Sequence, residues 1–126
     1  MAKITVITPT HRRPDLLFQC IKAVQKSTFI DYEHIIIGDN CPWSKRVCEL
    51  FKNDIRIKYF QTPEPHVWNA GASGKNVGIK NSTTEYIVYC DDDNIMLPNH
   101  IKNMYNELSK GTQICRTQFT AMICSV

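Results

Sequence analysis

Apolar and polar residues alternate along the chain in two distinct patterns. Short apolar runs rich in Ile, Val and Thr predict buried strands, and longer stretches with apolar residues three or four positions apart predict helices. The predicted strands span residues 3–8, 33–38, 55–60 and 85–90, and the predicted helices span residues 15–26, 44–52, 75–81 and 99–110. Because strands and helices alternate, we expect one α/β domain over residues 1–126, with a mostly parallel sheet and helices on both faces.

The last stretch of the sequence, Gln113–Val126, is apolar and also favours a strand. A strand that is left uncovered at the edge of a sheet exposes unpaired backbone groups, which invite pairing with another chain. We therefore expect this edge to be a contact site for a second copy of the chain or for a partner chain.

Polar residues cluster at the ends of three predicted strands. Thr8-Pro9-Thr10 follows the first strand, Asp39 follows the second, and D-D-D-N at residues 91–94 follows the fourth. Ligands of parallel α/β sheets bind beyond the carboxyl ends of the strands, and these ends share one edge. The sequence therefore predicts that the three clusters lie together in a binding site.

Three consecutive aspartates, Asp91, Asp92 and Asp93, are the strongest chemical signal. Adjacent carboxylates repel one another, and a divalent cation removes that cost. Mg²⁺ and Mn²⁺ prefer oxygen ligands and are often held by one or two carboxylates together with substrate phosphates. We expect Asp91 and Asp93 to face one way and Asp92 the other. Asp93 is the first candidate for a direct metal ligand, and an ordinary Asx turn is the alternative.

Composition narrows the class of protein without identifying it. The chain has 126 residues, 43% of them hydrophobic and 21% charged, as in ordinary globular domains. Its net charge of +3 is too small to indicate a nucleic-acid partner, and none is expected. The six cysteines lack zinc-site spacing and are expected to be buried or incidental free thiols. Because no signal peptide or membrane-length apolar run is visible, we expect a reduced, cytoplasmic location.

Two common nucleotide-binding motifs are absent from the places where they would be expected. The first strand–helix turn, T-P-T-H-R-R-P, contains no glycine, which argues against NAD and FAD. G-A-S-G-K-N at residues 71–76 does not fit the P-loop pattern. Asp39 is equally compatible with a turn and with a ribose or base contact. Lys75, Arg12 and Arg13 are either exposed surface charges or counter-charges for a diphosphate.

Taken as a set, the motifs resemble the family 2 glycosyltransferases of the GT-A fold. The set consists of T-P-T-x-R at residues 8–12, G-D at 38–39, G-K-N-x-G-I at 74–79, and E-Y-I-V-Y-C-D-D-D-N-x-x-x-P at 85–98. The resemblance covers residues 3–108. It implies transfer of a sugar from a nucleotide diphosphate sugar, often a UDP-sugar, to an acceptor hydroxyl on a saccharide, lipid or protein. It also implies Mn²⁺ or Mg²⁺ as a cofactor.

The resemblance further implies roles for particular residues. Asp93 is the expected metal ligand, with Asp92 near the ribose, Asp39 at the base and Lys75 near the nucleotide. The full set expected to bind the nucleotide sugar is Thr8, Pro9, Thr10, Arg12, Asp39, Lys75, Asp91 and Asp92.

The sequence departs from the family in one respect. The family usually continues for roughly a hundred residues beyond the acidic strand, within the usual range of domain sizes. Residues 94–126 contain a single acid, Glu107, in a predicted helix, so the catalytic base is not identified. We therefore expect the acceptor-binding half to be absent from this sequence. Two alternatives follow, a non-catalytic nucleotide-sugar-binding module and a nucleotidyltransferase-like enzyme, although the latter would favour a glycine-rich loop after the first strand.

Overall fold

The protein is described by a computed structural model that covers residues 1–62 and 71–115. Strands and helices alternate as predicted. In chain order they are β1 (Ile4–Thr10), α1 (Pro14–Gln25), β2 (Tyr32–Gly38), α2 (Pro42–Glu49), β3 (Ile57–Gln61), α3 (Ala72–Asn81), β4 (Tyr86–Tyr89) and α4 (His100–Ser109).

The four strands form a parallel sheet in the order β3-β2-β1-β4. One face packs against α1, α2 and α4 through two apolar clusters that contain Val24, Ile36 and Ile101. The other face packs against α3 through a cluster around Ile7 and Ile37. This confirms the predicted α/β class, with a parallel sheet and helices on both faces.

β1 continues two residues further than the sequence predicted, because Pro9 and Thr10 are part of the strand. A proline lacks the N–H group that a central strand normally donates. Here the carbonyl of Ile7 accepts a bond from Cys90, on the β4 side of the strand. Pro9 faces that same side two residues later, where β4 has already ended at Tyr89. The missing N–H therefore costs no ladder bond.

α3 begins at Ala72, three residues before the predicted start. It packs very close to β1 because Gly74 and Gly78 have no side chains. A Cβ atom on Gly78 would lie 2.6 Å from Cγ2 of Ile7, and one on Gly74 would lie 2.9 Å from Cβ of Pro9. The two glycines thus bring the first turn of α3 against the carboxyl end of β1.

The predicted final strand lies mostly outside the described residues, and residues 113–115 are irregular. Within residues 1–62 and 71–115, no helix is both long and apolar enough to cross a membrane.

Candidate functional site

The three polar strand ends meet at one edge of the sheet, as the sequence predicted. The backbone N–H of Asp39, after β2, donates to the carbonyl of Thr10 at 2.9 Å. The hydroxyl of Thr10 donates to Oδ2 of Asp92, after β4, also at 2.9 Å. Consecutive hydrogen bonds therefore connect the ends of β2, β1 and β4.

Asp91, Asp92 and Asp93 belong to a turn that we call the acidic turn (residues 91–94). The N–H of Asn94 closes it by donating to the carbonyl of Asp91 at 3.1 Å. Asp92 points inward and is 6% exposed, whereas Asp91 and Asp93 are exposed. The predicted division of the three side chains is confirmed. Its cause is the turn rather than strand alternation, because β4 ends at Tyr89.

The buried carboxyl of Asp92 is subject to opposing electrostatic influences. Burial raises its pKa because it disfavours the charged form, while the Thr10 hydroxyl and the Arg13 guanidinium favour that form. The neighbouring carboxylates of Asp91 and Asp93 raise the pKa further. Among the described residues the net result is a raised pKa for Asp92, so its charged form is disfavoured at this turn.

Arg13 lies against the acidic turn. Its Nη1 is 3.4 Å from Oδ1 of Asp92 and 3.3 Å from Oδ2 of Asp93. The Arg13 side chain is half-exposed, so each ion pair is weakened by solvent. Sequence reasoning named Arg13 only as a general counter-charge, because nothing in T-P-T-H-R-R-P indicates which arginine faces the acids.

Arg12 lies in a different part of the edge. Its φ of 54° is in the left-handed region, and its backbone N–H donates to Sγ of Cys41 at 3.1 Å. Asn40, with φ of 49°, lies across a surface cleft of about 530 Å³. The cleft is lined by Arg12, Pro14, Asn40, Pro42 and Trp43. Non-glycine residues in this backbone region cost free energy and often occur at functional sites.

A second cleft, of about 550 Å³, lies where β3 begins, at the opposite edge of the sheet, and is lined in part by Asp54, Ile55 and Arg56. The three polar strand ends do not contribute to it. We therefore take the carboxyl edge, and not this cleft, as the candidate site.

The side chains of Thr8 and Asp39 are both buried, but they have partners in different parts of the structure. Thr8 is fully buried, and its hydroxyl is 2.8 Å from Nε2 of His34 inside the core. Asp39 is also buried, and its Oδ1 accepts a bond from the hydroxyl of Thr62 at 3.3 Å. The carbonyl of Asp39 accepts a bond from Nδ1 of His11 at 2.6 Å. Asp39 is thus held at the edge, while the Thr8 side chain points away from it.

Lys75 lies on the first turn of α3, beside the end of β4. Its ammonium group is 5.3 Å from the ring centroid of Tyr89, a cation–π contact. Tyr89 directly precedes Cys90 and the acidic turn. The close packing of α3 therefore places Lys75 on the same edge as the aspartates.

Cys20, Cys41, Cys48 and Cys90 are buried free thiols and Cys115 is partly buried, which confirms the expectation for the described cysteines. Cys20 and Cys90 lie beneath the acidic turn, with sulfur atoms 3.8 Å apart. This proximity carries no sequence signal, because the two residues are 70 positions apart.

The fold and this edge define an α/β domain with a carboxylate-rich site at the ends of its strands, and comparison with known proteins identifies the family. The model of glycosyl transferase family 2 matches residues 5–121. The chain therefore belongs to glycosyltransferase family 2.

Two relatives illustrate the similarity in sequence. The GalNAc(5)-diNAcBac-PP-undecaprenol beta-1,3-glucosyltransferase of Campylobacter jejuni is 33% identical over 114 residues, 88% of this chain and 36% of its own length. The poly(ribitol-phosphate) beta-N-acetylglucosaminyltransferase TarP of Staphylococcus aureus is 29% identical over 108 residues, 84% of this chain and 33% of its own length.

Solved structures confirm the GT-A fold. S. aureus TarS 1-349 aligns with a TM-score of 0.75 at 20% identity, over 86% of this chain and 32% of TarS 1-349. The same fragment in complex with UDP-GlcNAc aligns with a TM-score of 0.74 over 86% of this chain and 31% of the fragment. The mannosyltransferase PcManGT of Pyrobaculum calidifontis, in complex with GDP-Man and Mn²⁺, aligns with a TM-score of 0.63 at 15% identity, over 72% of this chain and 27% of its own.

The chain spans only 14% to 36% of the length of the first three curated relatives.

Proposed function

We propose that the carboxyl edge of the sheet binds a nucleoside diphosphate sugar, with UDP as the nucleotide and a divalent cation on the diphosphate. The observation that carries the proposal is the 2.9 Å hydrogen bond from Thr10 to Asp92, which joins the T-P-T segment to the acidic turn. The UDP-GlcNAc named in the TarS complex supports the choice of ligand class. The proposed reaction is transfer of the sugar to an acceptor hydroxyl on a saccharide, lipid or protein.

The charges at the edge support a requirement for a cation. Asp91, Asp92 and Asp93 carry up to three negative charges, with Arg13 as a half-exposed counter-charge. A diphosphate would bring further negative charge to the same place. Without a divalent cation the repulsion would oppose binding, and with one the carboxylates and phosphates become joint ligands.

The residues present fit Mn²⁺ or Mg²⁺. Exposed carboxylate oxygens are the hard ligands that both ions prefer. Among the residues that the structure describes, no three His, Cys, Asp or Glu side chains are grouped to hold a metal by themselves. We therefore propose that Asp93 would hold the cation together with the diphosphate of the ligand. The Mn²⁺ named in the PcManGT complex supports a divalent cation.

The remaining assignments follow from position. Asp92, which is hydrogen-bonded to Thr10 and Arg13, would accept a hydrogen bond from a ribose hydroxyl. Asp39 would contact the base, and its neighbour Arg12 lines the cleft beside it. Lys75 would approach the diphosphate from α3.

The segment at the end of β1 contributes mainly through its backbone, whereas Asp91 contributes its side-chain charge. Because the Thr8 side chain is buried against His34, the Thr8-Pro9-Thr10 segment would line the nucleotide chiefly with main-chain atoms. Asp91 begins the acidic turn and adds its exposed charge to it. A divalent cation held there would stabilise the negative charge that develops on the leaving diphosphate. The described residues hold the nucleotide, and no residue among them is assigned as the base for the acceptor.

Binding is tested by calorimetry and thermal shift with UDP, GDP and CMP, each with and without Mn²⁺. We expect UDP to bind in the presence of Mn²⁺, and Asp93→Asn to remove the Mn²⁺-dependent part of the affinity. Glu85→Gln is the matched control, because Glu85 is an exposed acid just before β4, at the opposite edge of the sheet. Unchanged Mn²⁺-dependent UDP affinity in Asp93→Asn would rule out the metal assignment. Sugar transfer or donor hydrolysis would distinguish an enzyme from a non-catalytic binding module.

A further inference from the structure

Two buried thiols connect α1 to the acidic turn. Cys20 on α1 and Cys90 at the end of β4 are 1% and 3% exposed, and their sulfur atoms are 3.8 Å apart. Both sulfur atoms also lie near the carbonyl oxygen of Asp91, at 3.7 Å from Cys20 and 3.8 Å from Cys90. A change in the Cys20–Cys90 distance would therefore act directly on the first residue of the acidic turn.

The two sulfur atoms are in contact but not bonded. A disulfide requires a sulfur–sulfur distance of about 2.05 Å, so the atoms would have to approach by about 1.8 Å. α1 resists movement because Leu17, Ile21 and Val24 on the same helix are fully buried. β4 has four residues, pairs only with β1 among the described strands, and leads into the turn. We therefore expect Cys90 and the end of β4, rather than Cys20 and α1, to make most of the movement.

We propose that Cys20 and Cys90 form a redox-sensitive dithiol, and that its oxidation to a disulfide displaces the acidic turn and weakens ligand binding at the sheet edge. The part that concerns the ligand rests on the proposed function, whereas the disulfide and the displacement do not.

The oxidation is balanced with hydrogen peroxide as the oxidant. The Cys20 thiolate attacks one peroxide oxygen, the O–O bond breaks, and the departing hydroxide takes up the thiol proton to form water. The sulfur of Cys90 then attacks the resulting sulfenic acid, the S–S bond forms, and the S–O bond breaks with loss of a second water. Two thiols are oxidised and one peroxide is reduced to two waters.

Cys20 is the better attacking group of the two. Its hydrogen bond with Cys90 holds the pKa of the Cys20 thiol below its usual range, whereas that bond and burial raise the pKa of the Cys90 thiol.

The test treats the chain with hydrogen peroxide and maps its cysteines by mass spectrometry without reduction. We expect a cross-linked peptide that joins Cys20 to Cys90, with loss of two hydrogen atoms, and reversal by dithiothreitol. Cys20→Ser and Cys90→Ala should each abolish this peptide. Cys48→Ser is the matched control, because Cys48 is a buried thiol in a separate core cluster, and it should leave the cross-link intact.

Displacement of the turn is measured by the amide NMR shifts of Asp91, Asp92 and Asp93 in reduced and oxidised wild-type protein. Affinity for UDP with Mn²⁺ is measured on the same two samples. We expect shifts concentrated at the turn and a loss of affinity of about tenfold or more, because misplacement by about 1 Å is costly in a positioned site.

Each outcome decides one part of the proposal. Oxidation of Cys115 without a Cys20–Cys90 cross-link would overturn it, and so would a cross-link that leaves the amide shifts of the turn unchanged. A cross-link that shifts the amide signals of the turn but leaves the affinity for UDP unchanged would overturn the proposed effect on ligand binding. If the reduced protein fails to bind UDP, the proposed function is wrong. The cross-link and the NMR shifts would still show whether Cys20 and Cys90 form a disulfide that displaces the acidic turn. The wild-type measurements do not depend on whether the cysteine variants fold.

Discussion

The buried histidine of the central sheet makes the stability of this domain depend on pH. His34 on β2 is fully buried, and its Nε2 is 2.8 Å from the hydroxyl of Thr8. Its Nδ1 has no hydrogen-bond partner among the described residues. Protonation would place an N–H group and a positive charge in the core without an acceptor, so burial lowers the pKa of His34 to about 3.

The lowered pKa of His34 makes the folded protein less stable as the pH falls. In the unfolded chain His34 takes up a proton near its usual pKa of 6.5, whereas in the folded protein it stays neutral down to about pH 3. The unfolded state therefore binds more protons between these values, and stability is lost as the pH falls. The calculated loss from this one group is about 2 kcal/mol between pH 7 and pH 5, and about 5 kcal/mol over the whole window.

Urea denaturation at pH 7, 6 and 5 measures this loss, with His34→Gln as the comparison. Glutamine remains neutral at every pH and keeps amide groups that can bond to Thr8. His100, whose pKa burial also lowers, is common to both proteins and cancels in the comparison. We expect the wild type to lose about 2 kcal/mol more than His34→Gln between pH 7 and pH 5. Equal losses of unfolding free energy in the two proteins would refute the claim that His34 is buried in its neutral form.

Two further predictions concern the packing of α3 and the charge of the acidic turn. Gly78→Ala should lower the unfolding free energy by about 1 kcal/mol, because a clash costing about 1–3 kcal/mol exceeds a helix-propensity gain of about 1 kcal/mol. Asn76→Ala, on the exposed side of the same helix, should be neutral or stabilising in the same urea titration, and a Gly78→Ala protein as stable as the wild type would contradict the close packing. Arg13→Gln should raise the affinity for Mn²⁺ alone by several-fold in calorimetry, since it removes a cation from beside two carboxylates. Lys22→Gln, an exposed charge change on α1, should leave that affinity unchanged. Weaker Mn²⁺ binding in Arg13→Gln would contradict the idea that Arg13 and Mn²⁺ compete for the same carboxylates.

The local pattern of apolar and polar residues is enough to predict the α/β fold class and the edge of the sheet that carries the candidate site. The apolar runs of β1 and β2 are continuous because both strands are buried on both faces, and this signal is visible in sequence. The polar residues after each strand follow from the rule that parallel strands end on one edge. Thr10, Asp39 and Asp92 do lie together there.

The sequence was less informative where the outcome depends on tertiary contacts. The sequence predicts that β1 ends at residue 8 rather than at Thr10, because a proline usually interrupts a strand and nothing local shows that β4 ends before Pro9. It predicts that α3 starts at residue 75 rather than at Ala72, because the glycines of α3 weaken the helical signal while allowing close packing. Arg13, and not Arg12, forms the ion pairs with Asp92 and Asp93. This outcome depends on the positive φ of Arg12, which the sequence does not reveal. The contact between Cys20 and Cys90 arises only when α1 packs on β4.

The central claim is that a divalent cation joins a nucleoside diphosphate to the acidic turn. Calorimetric titration of the chain with UDP, with Mn²⁺ and without it, tests this claim most directly. The account predicts saturable UDP binding that requires Mn²⁺ and is lost in Asp93→Asn but retained in Glu85→Gln. UDP binding of equal strength with and without Mn²⁺, or no binding in either condition, would contradict it.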